Sequence, residues 1–119
     1  MDVKDFDKTC EFYLQGLGFD KTMEWEMDDG KRAAMIDSGN GNYLEIFEGR
    51  EYEFEKGAYK HLAFSVDDCA QAIERAEKAG AEVTMATKEL TIKSDPPLEV
   101  KIAFCKGPDG EILEFFQTC

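Results

Sequence analysis

The chain has 119 residues, 43% hydrophobic and 12% aromatic, which suits one compact domain with its own core and leaves no room for a second independent one. Its 26 acidic residues against 14 basic ones give a net charge of -12, which repels phosphate backbones and anionic lipids and argues against nucleic-acid and membrane partners. No apolar run approaches the roughly 20 residues that cross a bilayer, and four cysteines without CxxC spacing, behind a charged start with no apolar leader, fit reduced thiols in a cytosol.

Val3-Lys4-Asp5 reads as the end of a short strand running into a helix from Asp5 to Leu17, with Phe6, Cys10, Tyr13, Leu14 and Leu17 near helical spacing and Gly18 as the stop. Strands follow at Thr22 to Met27, Arg32 to Asp37 and Tyr43 to Phe47, divided by turns at Asp28-Asp29-Gly30 and Gly39-Asn40-Gly41. Trp25 alternates with Met23 and Met27 on one strand face, where it packs a core or walls a ligand. Gly49 to Gly57, with Glu51, Glu53 and Glu55, reads as a solvated connector whose Tyr52 and Phe54 could cover a cavity.

Beyond the connector lies the single histidine of the chain, and alternation sends His61 to one face of its strand and Leu62, Phe64 and Val66 to the other. A second helix spans Asp68 to Ala79, with Cys69, Ala72, Ile73 and Ala76 on one stripe and Gly80 as the stop. Strands are expected at Glu82 to Ala86, Val100 to Cys105 and Ile112 to Gln117, with a polar loop through Asp95-Pro96-Pro97 and a turn at Gly107-Pro108-Asp109-Gly110. Packing accounts for Cys105 better than reactivity does.

Both halves thus read strand, helix, strand, strand, strand, and the repeat aligns Val3 with Val66, Gly18 with Gly80, and Glu45 with Glu114. Each of those glutamates sits among hydrophobes, where an unpaired buried charge is costly unless a cation receives it. Glu45, His61 and Glu114 therefore form a candidate metal set. The bland alternative is a solvent-facing sheet that leaves both carboxylates wet and a histidine satisfied at a strand edge.

The motifs Val3-Lys4-Asp5, Glu11-Phe12-Tyr13, Leu17-Gly18-Phe19, Leu44-Glu45-Ile46, His61 to Asp67 and Gly107 to Glu114 cover nearly the whole chain, and in this arrangement it resembles the vicinal oxygen chelate superfamily, which includes glyoxalase I. The resemblance implies an α+β fold of two βαβββ modules, about 1–48 and 58–119 with a linker at 49–57, forming a glyoxalase-like half-barrel cleft within one domain, 1–119. It implies a divalent metal ion, zinc or nickel first, with Glu45, His61 and Glu114 as ligands. A fourth ligand would stand as far before Val3 as His61 stands before Val66, at a position preceding residue 1. Glutathione-using relatives carry an arginine just before the first valine and an asparagine four residues after the first glutamate. Here those positions hold Asp2 and Gly49, which leaves Arg32, Arg50, Arg75 or a lysine to capture an anion, with Arg75 on a solvated helix face.

The activity implied is that of a metal-dependent lyase or isomerase, resembling glyoxalase I (lactoylglutathione lyase), that moves a proton alpha to a carbonyl through a metal-chelated enediolate. Glu114 is the first candidate base and Glu45 the second. A methylmalonyl-CoA epimerase-like isomerisation is implied equally. The alternative is a metal-free small-molecule binding protein similar to bleomycin-resistance proteins. Either way the resemblance implies a cytoplasmic homodimer with a small-molecule partner.

Overall fold

Asp5 and Asp68 stand immediately before the two helices and act alike. The Asp5 carboxylate accepts the Lys8 N–H at 3.0 Å and the Asp68 carboxylate accepts the Gln71 N–H at 3.0 Å, each satisfying a donor that the first helical turn leaves open. In the computed structural model, which describes residues 1–53 and 57–119, these caps open α1 (Phe6–Glu11) and α2 (Cys69–Lys78). Phe54 and Glu55 of the acidic connector lie outside the described residues.

The first helix departs from the regular run to Leu17 that its sequence predicts. After α1 the chain widens into a π-helical turn over Phe12–Gly16, with the Leu17 N–H donating to the Phe12 carbonyl at 3.0 Å. The wider turn accommodates two consecutive aromatics: Phe12 and Tyr13 are both buried and meet edge to face at 5.1 Å, and Tyr13 also stacks on Phe19 at 6.1 Å. The second helix ends as expected. Gly80 takes a φ of 100°, and the Ala81 N–H reaches back to the Ala76 carbonyl at 2.9 Å.

The chain forms two compact units, residues 1–55 and 56–119. In the first, β1 (Asp2–Val3), β2 (Asp20–Glu26), β3 (Arg32–Asp37) and β4 (Tyr43–Glu48) make a mixed sheet in the order β1-β4-β3-β2, with β1 parallel to β4 and the other pairs antiparallel. In the second, β5 (Leu62–Ser65), β6 (Glu82–Ile92), β7 (Leu98–Lys106) and β8 (Ile112–Thr118) repeat that plan as β5-β8-β7-β6. The fold is α+β, two βαβββ units each built on a four-stranded mixed sheet.

Each sheet buries one face beneath its helix. In the second unit Cys69, Ile73 and Ala76 of α2 cover Ala103 and Cys105 of β7 and Leu113 and Phe115 of β8, all buried. In the first unit Phe6 of α1, Ile36 and Ile46 fill the same role. Arg32 fastens helix to sheet there. Its guanidinium donates to both Asp7 oxygens at 2.8 and 3.2 Å and to Glu48 at 3.0 and 3.3 Å, and it lies 4.5 Å over the Phe6 ring.

The repeat extends to the register. Glu45 pairs across the sheet with Met35, and Met35 with Met23; Glu114 pairs with Phe104, and Phe104 with Met85. Both outer strands carry a register shift at the same place, between Lys21 and Met23 and between Val83 and Met85, and β6 carries a second one between Met85 and Lys88. The main departure from the predicted strands is β6, which runs to Ile92 rather than Ala86, on a β7 that starts at Leu98. Its outer part pairs with β7 down to Ile92 opposite Leu98, and Lys101 reaches Glu89 at 3.4 Å. Thr87-Lys88-Glu89 masks this as a loop in sequence, because charged residues are poor strand formers and the strand's support comes from its partner.

Candidate functional site

The sheet face away from the helix carries the candidate chemistry. In the second unit, residues directly paired across strands share a face, so Ala63, Glu114, Phe104 and Met85 form one rung and Ser65, Phe116, Ile102 and Lys88 the next, two residues further along β8. His61 stands just before β5, two residues from Ala63, and so joins this face, as alternation predicted.

His61 and Glu114 meet there. Nε2 of His61 lies 2.9 Å from Oε2 of Glu114, with the His61 side chain 36% exposed and that of Glu114 only 12%. The Phe104 ring meets the imidazole edge to face at 5.3 Å and an interplanar angle of 89°. Phe104 also pairs with Glu114, so one aromatic borders both members of the pair. Ala63, the remaining neighbour on the Glu114 rung, contributes only a methyl group and leaves the imidazole its path to the carboxylate.

Glu45 holds the equivalent place on β4 of the first unit, between Tyr43 and Phe47 on its face, with an exposed side chain. Two of the three predicted ligands therefore come together in one unit. Among the described residues, no three of His, Cys, Asp and Glu gather into one cluster. The donors that do meet, an imidazole nitrogen and a carboxylate oxygen, fit a borderline divalent ion such as zinc in kind.

The other candidate groups are occupied or distant. Arg32 is held by Asp7 and Glu48, and these two hydrogen-bonded carboxylates push its own pKa higher still while the Glu48 carboxyl falls below the usual carboxylate range. Arg50 is buried and donates to the Tyr52 carbonyl at 2.6 Å. Arg75 is exposed on α2, which covers the opposite side of its sheet. Burial pushes the Cys10 and Cys69 thiols up, and that of Cys105 up to about 11, so these cysteines are packing residues rather than nucleophiles or ready ligands.

The sequence did not single out Phe104, whose alternation with Ile102 is visible but reads equally as core. A cleft of about 390 Å³ in the first unit is lined by Asp2, Lys31, Glu48, Arg50, Glu51 and Tyr52 among others, and of these the sequence pointed only to Tyr52 as a residue that covers a cavity. That cleft is edged by four carboxylates.

The sequence profile of the Glyoxalase/Bleomycin resistance protein/Dioxygenase superfamily matches residues 2–115. The chain belongs to this superfamily. It is 31% identical to a probable lactoylglutathione lyase of Vibrio cholerae over 98% of this chain and 85% of that protein. It is 27% identical to a lactoylglutathione lyase of Neisseria meningitidis over 97% of this chain and 84% of that one. Among solved structures, a glyoxalase/bleomycin resistance protein/dioxygenase domain from Frankia superposes with a TM-score of 0.79 at 25% identity, covering 99% of this chain and 87% of that one. Glyoxalase-like enzymes bind small-molecule substrates. No helix among the described residues is long and apolar enough to cross a membrane.

Proposed function

We propose that this chain is a metal-dependent lyase or isomerase of the glyoxalase type, which moves a proton alpha to a carbonyl in a small-molecule substrate. Glu45, His61 and Glu114 hold a divalent ion, zinc or nickel, in a cytoplasmic homodimer whose subunit is a single domain over 1–119. The observation that carries the reading is the 2.9 Å approach of His61 Nε2 to Glu114 Oε2 beside the Phe104 ring on the open sheet face. When bound, the ion polarises the substrate carbonyl and makes the neighbouring C–H acidic.

The chain's own residues then divide the work. Glu114 takes the proton from carbon as base, since its carboxylate is largely shielded from water yet faces the open side of the sheet. Glu45, at the equivalent rung of the first unit and more exposed, is the second candidate for that base. Phe104 keeps the imidazole edge-on and excludes water from one side of the pair. Both lactoylglutathione lyase relatives support the lyase reading.

A second reading, a metal-free binding protein, draws on the absence of a three-donor cluster among the described residues. Metal content separates the two. Protein purified without chelator, analysed by plasma mass spectrometry beside a His61→Ala variant, carries about one divalent ion per chain in the first case, lost in the variant. No ion in either, even after incubation with zinc and nickel, defeats the enzyme reading.

A further inference from the structure

The two units match on three strands of the glutamate rung, Glu45-Met35-Met23 and Glu114-Phe104-Met85, and diverge beyond it, where β6 alone shifts register again between Met85 and Lys88; the places where they differ in charge mark what the repeat does not share. The rung two residues beyond Glu45 reads Asp2, Phe47, Ala33, Trp25; the rung two residues beyond Glu114 reads Ser65, Phe116, Ile102, Lys88. An apolar middle is retained in both. The ends change from an acid and an aromatic to a hydroxyl and an ammonium.

Lys88 is exposed and has no carboxylate within ion-pair distance among the described residues. The other lysines of this sheet are engaged: Lys106, on the same face at its far end, lies 4.0 Å from Glu82, and Lys101, on the opposite face, reaches Glu89 at 3.4 Å. In a chain of net charge -12, one unpaired cation on the face that holds His61 and Glu114 gives that face a local polarity opposite to its surroundings.

We infer that Lys88 is a specificity-determining residue that binds an anionic end of the ligand, so the substrate class is a carbonyl compound with an apolar body and a terminal anionic group. Two strand spacings and two residues of rise separate Lys88 from Glu114, roughly 12 Å between Cα atoms. The two side chains shorten that gap, so a body of several carbons spans it. Ile102, Phe104 and Phe116, half-buried between the two, offer it an apolar bed. A lysine suits this role as a flexible point charge that accepts a carboxylate, sulfonate or phosphate without demanding bidentate geometry. The inference rests on the proposed function above, because it takes the His61–Glu114 pair as the reacting end.

The test is an amide-resolved NMR titration of the purified chain with 1-hexanesulfonate, an anion that coordinates metals poorly, and with neutral 1-hexanol. Lys88→Gln should weaken hexanesulfonate at least tenfold, leave hexanol unchanged, and be rescued by Lys88→Arg, with shifts clustered on Ile102, Phe104 and Phe116. Equal hexanesulfonate affinity in wild type and Lys88→Gln, or equal loss of both probes, overturns it, as does a shift pattern centred on Lys106. Metal content measured on the same samples separates the two ideas. Metal present with an indifferent Lys88→Gln defeats the Lys88 role alone, whereas metal absent with hexanesulfonate binding still lost in Lys88→Gln defeats the metal reading and leaves the Lys88 role standing.

Discussion

Replacing each proposed glutamate ligand by glutamine, beside His61→Ala, tests whether Glu45 and Glu114 work as a pair. Glu114→Gln keeps the shape beside His61 and can retain a hydrogen bond across the 2.9 Å contact, so its cost to the metal-free fold should be about 1 kcal/mol. Glu45→Gln, at an exposed position, should cost less still. Metal linkage is the larger signal: an ion that binds only the folded state stabilises it by about 2.7 kcal/mol at one hundred times its Kd. At about 4 °C per kcal/mol for a chain of this size, that is a rise in Tm of about 10 °C.

The assay is calorimetry of protein stripped by chelator, with and without zinc or nickel. Wild type and an exposed helix control, Glu77→Gln, should show the full rise. Glu45→Gln, His61→Ala and Glu114→Gln should each keep less than about a quarter of it. A full rise in Glu45→Gln would refute the three-ligand set and the functional equivalence of the two rungs. A full rise in all three variants would refute the site altogether.

Three further outcomes follow from the packing and the charges. The Glu48 carboxyl is held below its ordinary range by Arg32, so it contributes stability that is present above the unfolded value of about 4.3 and is lost as pH falls through the lower folded value. Acid unfolding of Glu48→Gln should accordingly depend less steeply on pH below about 4.5 than that of wild type, and equal slopes by circular dichroism would contradict this. Leu113→Ala, at a side chain with no exposure, should cost about 2–5 kcal/mol in urea unfolding, and a loss under 1 kcal/mol would mean that the β8 face beneath α2 is not the core. A thiol reagent at pH 8 should react quickly with one cysteine per chain, the exposed Cys119, and with four only in denaturant, because Cys10, Cys69 and Cys105 are buried. Two fast thiols would contradict that burial.

The halves were legible because their signals are local and repeated. Asp5 and Asp68 cap, Gly18 and Gly80 stop, and Glu45 and Glu114 each interrupt a five-residue apolar run, all within short windows where period and punctuation can be read. The place of His61 followed from alternation alone. Less legible was whatever depends on a partner distant in sequence. The outer half of β6 is a strand because Val100 and Leu98 lie opposite Leu90 and Ile92, and the π-helical turn after α1 reflects where Phe12 and Tyr13 must pack. Arg32 looked like a free guanidinium available to an anion, but the fold brings Asp7 and Glu48 to it from two other elements.

The paired register shifts bear on solubility as well as on the site. Each sheet has two edges that could recruit a foreign strand, and each treats them in the same way. On one side the edge strand is very short, two residues in β1 and four in β5, too brief to template a stable ladder. On the other side β2 and β6 are long, and there the irregularity before Met23 and Met85 breaks the even row of donors and acceptors and increases the local twist. The same irregularity thus also keeps the edge from serving as a flat seed for aggregation, so straightening β6, which shifts register again between Met85 and Lys88, by deleting Thr84 and one of Ala86 and Thr87 would expose the chain to strand-swapped assembly while leaving Met85 opposite Phe104.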